Sequence, residues 1–160
     1  MAEDQRVEQC WATPSHDDVV ALTKQHVEAM EMTGDDVVWV QAGMHHVLLQ
    51  TKGRRSGKLH KVALPAWRDP DGHRIVVASF AGAPAPPSWF FNLSDRDANP
   101  RVHCRVQHGE YWSVPEILAH GAERDRLWEL LIADRAWYAD YQARTDRTIA
   151  LVRLPETDQI

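Results

Sequence analysis

Hydrophobic and polar residues follow each other along this chain in a pattern that predicts one N-terminal helix and then mostly strands. After Ser15, apolar residues recur at helical spacing to about Met32, and Gly34 ends the pattern, so Ser15 is the expected helix cap. A second helical pattern covers about 122–133 and leads into a tyrosine-rich turn, and a short helix is expected after Ser88. Short apolar runs bounded by turn residues predict strands at 46–51, 60–67, 73–79, 102–106, 111–114 and 149–154. The piece from 37 to 40 is expected to be a strand or an irregular connector.

Six short strands joined largely by hairpins, with helices beside them, predict an α+β fold built on an antiparallel barrel. The 160 residues suit a single domain, 1–160, in which residues 1–14 form a loose polar lead. The acidic N-terminus lacks the features of a signal peptide, and no apolar run approaches the length of an integral membrane segment. Two cysteines are too few for a disulfide framework, so the expected location is cytoplasmic.

One loop concentrates positive charge in a chain whose formal net charge is −5. Gly53 and Gly57 bracket a hairpin loop, and no carboxylate interrupts its five cations, which are Lys52, Arg54, Arg55, Lys58 and Lys61. Paired arginines and loop N–H groups can hold phosphate or carboxylate oxygens. The loop therefore predicts a phosphate clamp, with a solvated basic turn as the alternative. The acidic balance of the whole chain argues against nucleic acid as a partner.

Metal binding and covalent catalysis receive little support from the spacing of residues. His45 and His46 are adjacent and would point to opposite faces of a strand, so no metal site is expected. Tyr138 and Tyr141 are three residues apart and would share one face of a helix. Tyrosines so placed can stack on a flat ligand and offer a hydroxyl proton, and a packed aromatic corner is the alternative.

Five short motifs occur in a fixed order along about residues 46–154. They are Leu49-x-Thr51-x-Gly53-Arg54-Arg55-Ser56-Gly57-Lys58, Val77-Ala78-Ser79-x-x-Gly82, Trp89-x-x-Asn92-Leu93, Asn99-Pro100-x-Val102 and Tyr138-Ala139-Asp140-Tyr141-Gln142-x-Arg144-Thr145-Asp146-Arg147. Together they resemble the deazaflavin-dependent nitroreductase family of actinobacteria, whose enzymes use coenzyme F420.

The resemblance implies a split β-barrel related to the FMN-binding ones, of about six mainly antiparallel strands, with its core at 46–154. It implies that F420 lies along the first hairpin with its phosphate in the basic loop. The cofactor-binding residues so implied are Lys52, Arg54, Arg55, Ser56, Gly57, Lys58, His60, Lys61, Val62, Ala63, Leu64, Pro65, Val77, Ala78, Ser79, Phe80, Trp89, Phe90, Asn92 and Arg135. The catalytic candidates are Tyr138, Tyr141 and Ser79, which could polarise an acceptor and relay a proton to it.

The function implied by the resemblance is hydride transfer from reduced F420 to an electron-poor small-molecule acceptor. An activated alkene or enone, a quinone and a nitro compound are the acceptor classes considered. A non-catalytic F420 carrier or sequestering protein and an FMN-binding split-barrel oxidase are the alternatives. Arg135 stands where nitroimidazole-active relatives often have the first of three tyrosines, so prodrug reduction is not inferred. The oligomeric state, monomer or homodimer, stays open.

Overall fold

Two antiparallel sheets flanked by helices make up the computed structural model, which describes residues 5–160. The helices are α1 (His16–Met32), α2 (Asp36–Trp39), α3 (Ser88–Ser94), α4 (Ala122–Asp134) and α5 (Trp137–Ala143). The strands are β1 (Val40–Gln41), β2 (Met44–Lys52), β3 (Leu59–Pro65), β4 (Trp67–Arg68), β5 (Arg74–Val77), β6 (Val102–Val106), β7 (Gly109–Ser113), β8 (Glu116–Leu118), β9 (Leu151–Leu154) and β10 (Asp158–Gln159). No helix in this range is long and apolar enough to cross a membrane.

Strand β2 is the centre of the first sheet, which has the order β1-β2-β6-β7-β10, with β3 also paired to β2. Along β2, residues 46–52 pair with β3, and residues 48–50 pair with β6 on the other side. Its residues Val47, Leu48 and Leu49 are all buried, so both faces of the strand are covered. The second sheet has the order β4-β5-β9-β8. The two sheets pack face to face through an apolar cluster that includes Leu49 and Val76.

The six strands and the three helices predicted from the sequence are confirmed in position. Ser15 caps α1 as expected, because its hydroxyl accepts a hydrogen bond from Asp18 N at 3.2 Å.

The predicted tyrosine-rich turn is wrong, since Trp137–Ala143 form helix α5. The prediction of a strand or irregular connector at 37–40 is wrong for most of that piece, since Asp36–Trp39 form helix α2 and the short strand β1 begins only at Val40. The short strands β8 and β10 were not predicted, because they are too small to show an alternating pattern, whereas β4 begins at the last residue of the strand predicted at 60–67. The strands form two separate ladders among the described residues, and no closed barrel is present there.

Residues 5–15 contain no helix or strand, but their contacts hold them against the C-terminal helices. Val7 N donates to Asp134 O at 2.9 Å, and the Trp11 ring meets the Trp137 ring edge to face at 4.9 Å. Both side chains pack on the cluster formed by the second sheet, α4 and α5. The part of the predicted loose lead at residues 1–4 lies outside the described residues.

Helix α1 covers the outer edge of β3. Ala63 N donates to Thr23 Oγ1 at 3.0 Å, and Thr23 Oγ1 donates to Ala63 O at 3.3 Å. Because β3 pairs with β2 on one side only, these bonds satisfy backbone groups that the sheet leaves open. At the end of α1, the Lys61 ammonium of β3 meets the Glu31 carboxylate at 2.9 Å. Helix α1 is thus fixed along β3.

Gly82 allows the turn after β5 to approach α5 closely. Its φ is +80°, and a Cβ at this position would lie 2.6 Å from Tyr141 O and 2.9 Å from the Arg144 Cβ. The first neighbour is a backbone carbonyl, which has little room to move. A side chain at position 82 would therefore push the turn away from the helix.

Replacing Gly82 by alanine tests this contact, and Gly72→Ala is the matched control. Gly72 has a similar φ of +85°, but a Cβ there would meet nothing within 4 Å. Both variants carry the cost of a left-handed alanine, about 1–2 kcal/mol. We expect Gly82→Ala to lower the free energy of unfolding in urea by at least ~1 kcal/mol more than Gly72→Ala. Equal losses in the two variants would show that the approach of the turn to α5 is not tight.

Candidate active site

A cavity of about 1060 Å³ lies between α1, β3, the basic loop, the turn after β5 and α5. This volume is at the upper end of the range for ligand sites, so it has room for a large ligand or for two ligands together. Helix α1 forms one wall, since Val19, Thr23 and His26 line the space. The turn after β5 and helix α5 also contribute to the lining, and the turn meets the start of α1, where the His16 and Phe80 rings lie 5.1 Å apart.

Most of the site residues predicted from the sequence come together around this cavity. Those in its lining are Arg54, Arg55, Ser56, His60, Lys61, Val62, Ala63, Leu64, Pro65, Val77, Ser79, Phe80, Trp89, Asn92, Tyr138 and Tyr141. Those outside its lining are Lys52, Gly57, Lys58, Ala78, Phe90 and Arg135. Ala78 is fully buried within the apolar cluster between the sheets, and Arg135 lines a second, smaller cavity.

The basic loop is a closed turn between β2 and β3. Gly53 N donates to Lys58 O at 2.7 Å, and Gly57 N donates to Gly53 O at 2.8 Å. Gly57 has a φ of +69°, and a Cβ on Gly53 would lie 2.6 Å from Ser56 Oγ. The two glycines therefore serve different needs, one a left-handed backbone and the other a close approach.

Two buried asparagines tether this loop to α3 and to the segment that precedes β6. Asn99 Oδ1 accepts from Lys52 N at 2.7 Å, while its Nδ2 donates to Lys52 O at 2.9 Å and to Asn92 O at 2.8 Å. Asn92 Oδ1 in turn accepts from Arg54 N at 3.2 Å and from Arg54 Nη1 at 2.8 Å. The Asn92 amide thus orients Arg54 as well as lining the cavity.

The loop keeps most of its positive charge exposed at one end of the cavity. Lys61 is paired with Glu31, which the sequence did not indicate. For Lys52, Arg54, Arg55 and Lys58, no carboxylate of the described chain lies within 4.0 Å. The Arg54 guanidinium also lies 5.1 Å from the centre of the Phe91 ring, which helps to fix it. An anionic group is therefore the natural ligand at this end.

The turn after β5 holds two non-glycine residues in a left-handed backbone. Phe80 has a φ of 44° and Ala81 a φ of 52°, and both line the cavity. The Arg147 guanidinium offsets this strain, because it donates to three carbonyl oxygens of the turn, those of Ala78 at 3.1 Å, Ser79 at 2.8 Å and Ala83 at 2.9 Å. Arg147 was part of a recognised motif, but its sequence context is polar and gave no sign of this role.

Tyr138 and Tyr141 lie on one face of α5, as their spacing predicted, and both line the cavity. Their rings meet edge to face with centres 5.8 Å apart. Burial raises the pKa of Tyr138 to about 12, although the nearby Arg135 guanidinium acts in the opposite direction. Tyr138 is therefore protonated at neutral pH and can act as a hydrogen-bond donor.

Two histidines that sequence reasoning left without a role also face the cavity. The rings of His26 and His46 lie 4.7 Å apart, and both residues line the space. His26 Nε2 lies 2.6 Å from Val38 O, and His46 Nδ1 lies 2.8 Å from Met44 O, so these nitrogens carry hydrogens. Burial lowers the pKa of His46 to about 4, although the bond to Met44 O opposes the shift. Neutral His46 leaves Nε2 as an acceptor.

Thr51 supplies an unsatisfied polar atom in the cavity lining. The residue is 2% exposed, and its Oγ1 has no hydrogen-bond partner within residues 5–160. A buried hydroxyl without a partner costs about 1–3 kcal/mol, which a polar group of a bound ligand can offset. The same described range contains no cluster of three His, Cys, Asp or Glu side chains that could hold a metal ion.

Known proteins match this chain along most of its length. A family model described as F420H(2)-dependent quinone reductase matches residues 22–156. An F420H(2)-dependent quinone reductase of Mycobacterium tuberculosis strain H37Rv is 33% identical over 110 residues, which cover 68% of this chain and 71% of that protein.

Two solved structures are also similar to this chain in sequence and in fold. One described as an F420-H2 dependent reductase, FDR-A, is 34% identical with a TM-score of 0.57, covering 69% of this chain and 93% of its own. Another, described as a domain-swapped dimer, is 31% identical with a TM-score of 0.58. The match covers 88% of this chain and 100% of that chain.

The lowered pKa of His46 predicts a pH-dependent stability. In the unfolded chain His46 titrates near its ordinary pKa of ~6.5, so between that pH and about 4 the unfolded state binds more protons than the folded one. Stability should therefore fall as the pH is lowered through this window. Because His46 is only half-buried, we expect its share to be about 1–3 kcal/mol.

Urea unfolding of the wild type and of His46→Gln at pH 7.5 and about 4.5 measures this share. The variant should lose less stability than the wild type on acidification. His73→Gln, which removes a histidine from the exposed turn before β5, is the control and should behave as the wild type does. An unchanged pH slope in His46→Gln would contradict the assignment.

Proposed function

The chain belongs to the F420H(2)-dependent quinone reductase family, and from this premise we propose that its large cavity holds the cofactor beside an electron-poor acceptor. The protein is an oxidoreductase, and reduced coenzyme F420 is its cofactor. The observation that carries the proposal is that one cavity joins two arginines without a carboxylate partner among the described residues, Arg54 and Arg55, to the two buried tyrosines Tyr138 and Tyr141. We also infer that the two sheets are the halves of a split β-barrel.

The residues around the cavity fit a phosphate-bearing deazaflavin. The exposed cations Arg54 and Arg55 have no carboxylate partner in the described chain. Their guanidinium groups can therefore bind the phosphate of the coenzyme. The Thr51 hydroxyl lacks a partner and can bond to a polar atom of the ring or side chain. The volume of about 1060 Å³ accommodates a ring system together with a second ligand.

We assign the residues around the cavity to three tasks. Arg54, Arg55 and Ser56 would hold the phosphate, with Lys58 at the tip of the loop adding long-range attraction. The β3 residues from His60 to Pro65 and the turn around Ser79 would border the ring. Lys61 would contact an anionic tail of the coenzyme only if its present ion pair with Glu31 broke.

When bound, the reduced deazaflavin supplies a hydride, and the protein orients the acceptor and excludes water. Tyr138 and Tyr141 would donate hydrogen bonds to an acceptor oxygen and so stabilise the negative charge that develops there. The raised pKa of Tyr138 keeps its proton in place at neutral pH. Ser79, 7% exposed in the turn that Arg147 fixes, is the third candidate donor.

A quinone is the acceptor that we favour among the classes considered, because the family is named for quinone reduction and the hydroxyls of Tyr138 and Tyr141 can donate to a carbonyl oxygen. The part of the lining that α1 supplies is mainly apolar, and the rings of His26 and His46 lie next to each other in the same cavity. An enone presents one such oxygen and would use the same donors. Arg135 lies outside this cavity, so it contributes to the acceptor site through its neighbours Tyr138 and His46.

The clamp predicts tight, salt-sensitive binding of F420. Fluorescence titration with oxidised F420 at two salt concentrations should show weaker binding at higher salt. Arg55→Gln should weaken binding by about 10-fold, as expected for the loss of one charge-assisted contact. Arg101→Gln is the control, since Arg101 is an exposed cation on the Trp112 ring, 4.2 Å away, and does not line the cavity. FMN binding as tight as F420 binding would favour the FMN-binding alternative, and F420 binding that is insensitive to salt and unchanged in Arg55→Gln would contradict the clamp.

The tyrosines are tested by steady-state kinetics with a water-soluble quinone and reduced F420. Tyr138→Phe and Tyr141→Phe should each lower kcat/KM for the quinone by about 10-fold, the effect of one lost hydrogen bond, and leave the Kd for F420 within about 2-fold. Tyr111→Phe, in the cluster between the sheets, is the matched control. If both variants keep wild-type turnover and affinity, neither hydroxyl takes part. F420 binding without turnover of any acceptor would favour a carrier instead.

A further inference from the structure

A second cavity, of about 310 Å³, lies where β2 begins, at the opposite end of that strand from the basic loop. Its lining includes six basic side chains, which are Arg68, Arg74, Arg135, His45, His46 and His108. None of the described residues in this lining is an aspartate or a glutamate. Since a strand rises ~3.3 Å per residue, His46 and Lys52 are about 20 Å apart along β2. The two basic regions are therefore separate.

Arg135 is the residue that makes this cavity unusual. It is 3% exposed, and its Nε and Nη1 atoms have no hydrogen-bond partner in the part of the chain that the structure describes. Burial lowers the pKa of this guanidinium, which is the expected result of taking a cation out of water. Buried guanidinium groups normally bind a carboxylate, a phosphate or several carbonyl oxygens.

Asp134 and Glu156, which lie near arginines of this cavity, form no ion pair with Arg135. Asp134 acts on Arg135 through its charge, but its Oδ2 accepts from Trp67 Nε1 at 2.8 Å, and no ion pair with Arg135 forms within 4.0 Å. Glu156 lies 2.7 Å from Arg74 Nη1. The positive charge of Arg135 is therefore not matched by a direct ion pair among the described residues.

We propose that the second cavity is a binding site for a small oxyanion, a carboxylate or a phosphate group, held by the Arg135 guanidinium. The volume is near the lower limit for ligand sites, so it suits a small ligand and not the cofactor. Gln5 and Gln107 also line the space, but their amide nitrogens donate to Arg68 O at 3.1 Å and to Gly34 O at 2.9 Å, so the proposal depends on Arg135.

This site is connected to the active site through two residues. His46 lines both cavities, and the Arg135 charge acts on the buried hydroxyl of Tyr138. An anion on Arg135 would offset a charge that now lowers the pKa of His46. Occupancy of the small cavity thus changes the electrostatics of the acceptor end of the large one.

The test uses the full chain without coenzyme, so that it does not require the proposed function to hold. Sodium phosphate and sodium acetate are titrated separately, each against sodium chloride at matched ionic strength. The signals followed by NMR are the Nε–H group of Arg135 and the ring of His46. Arg55→Gln is titrated in parallel, because it weakens the basic loop and leaves the second cavity intact.

We expect a saturable shift of both signals in the wild type and equally in Arg55→Gln. Arg135→Gln should weaken the response of His46 by at least ~10-fold, whereas Arg135→Lys, which keeps the charge, should retain part of it. The pKa of His46 should rise when the anion is bound. A response to phosphate alone identifies a phosphate site, a response to acetate alone a carboxylate site, and a response to both a general oxyanion site.

Two results would overturn the proposal. One is that neither anion shifts the Arg135 or His46 signal beyond the chloride control. The other is that Arg135→Gln responds with wild-type affinity. The Arg135 signal of the wild-type protein decides the question even if Arg135→Gln does not fold.

Discussion

The outer edge of β3 needs hydrogen-bond partners, because β2 satisfies only one side of this strand. Thr23 supplies them by bonding to both backbone groups of Ala63, and the Lys61–Glu31 pair fixes the same helix further along. A helix held along a strand edge leaves space beneath it that a strand in the same place would fill. The large cavity is this space, closed at one end by the basic loop and at the other by α5.

The polar groups at the two ends of the cavity differ in charge and in exposure to solvent. At the loop, Asn92 and Asn99 fix the backbone, and the exposed cations remain available for a ligand. At the far end, tyrosine hydroxyls and the uncharged His46 lie in a buried setting, where hydrogen bonds to a developing negative charge are strong. One end therefore suits binding by charge and the other suits chemistry at a neutral acceptor.

Much of this arrangement could be predicted from the sequence because it depends on local patterns. The strands, α1, the basic loop and the shared face of Tyr138 and Tyr141 follow from periodicity and turn residues. The roles of Thr23 and Arg147 could not be predicted, since each forms bonds to carbonyls or amides about 40 to 70 residues away in the chain. The buried position of Arg135 was missed for the same reason, because only tertiary packing shows that its nitrogens lack partners.

The basic loop and the turn after β5 are held by other contacts than helix α1, and this difference affects how such proteins can diversify. The loop and the turn after β5 are held by hydrogen bonds from Asn99 and Arg147, whereas α1 is attached by Thr23, by one exposed ion pair and by the packing of Val27 and Met30 against the sheet. Substitutions on the inward face of α1 can reshape the acceptor space without disturbing the bonds that form the clamp. A lineage of paralogues could thus acquire new substrates by changes in one helix while inheriting the same coenzyme.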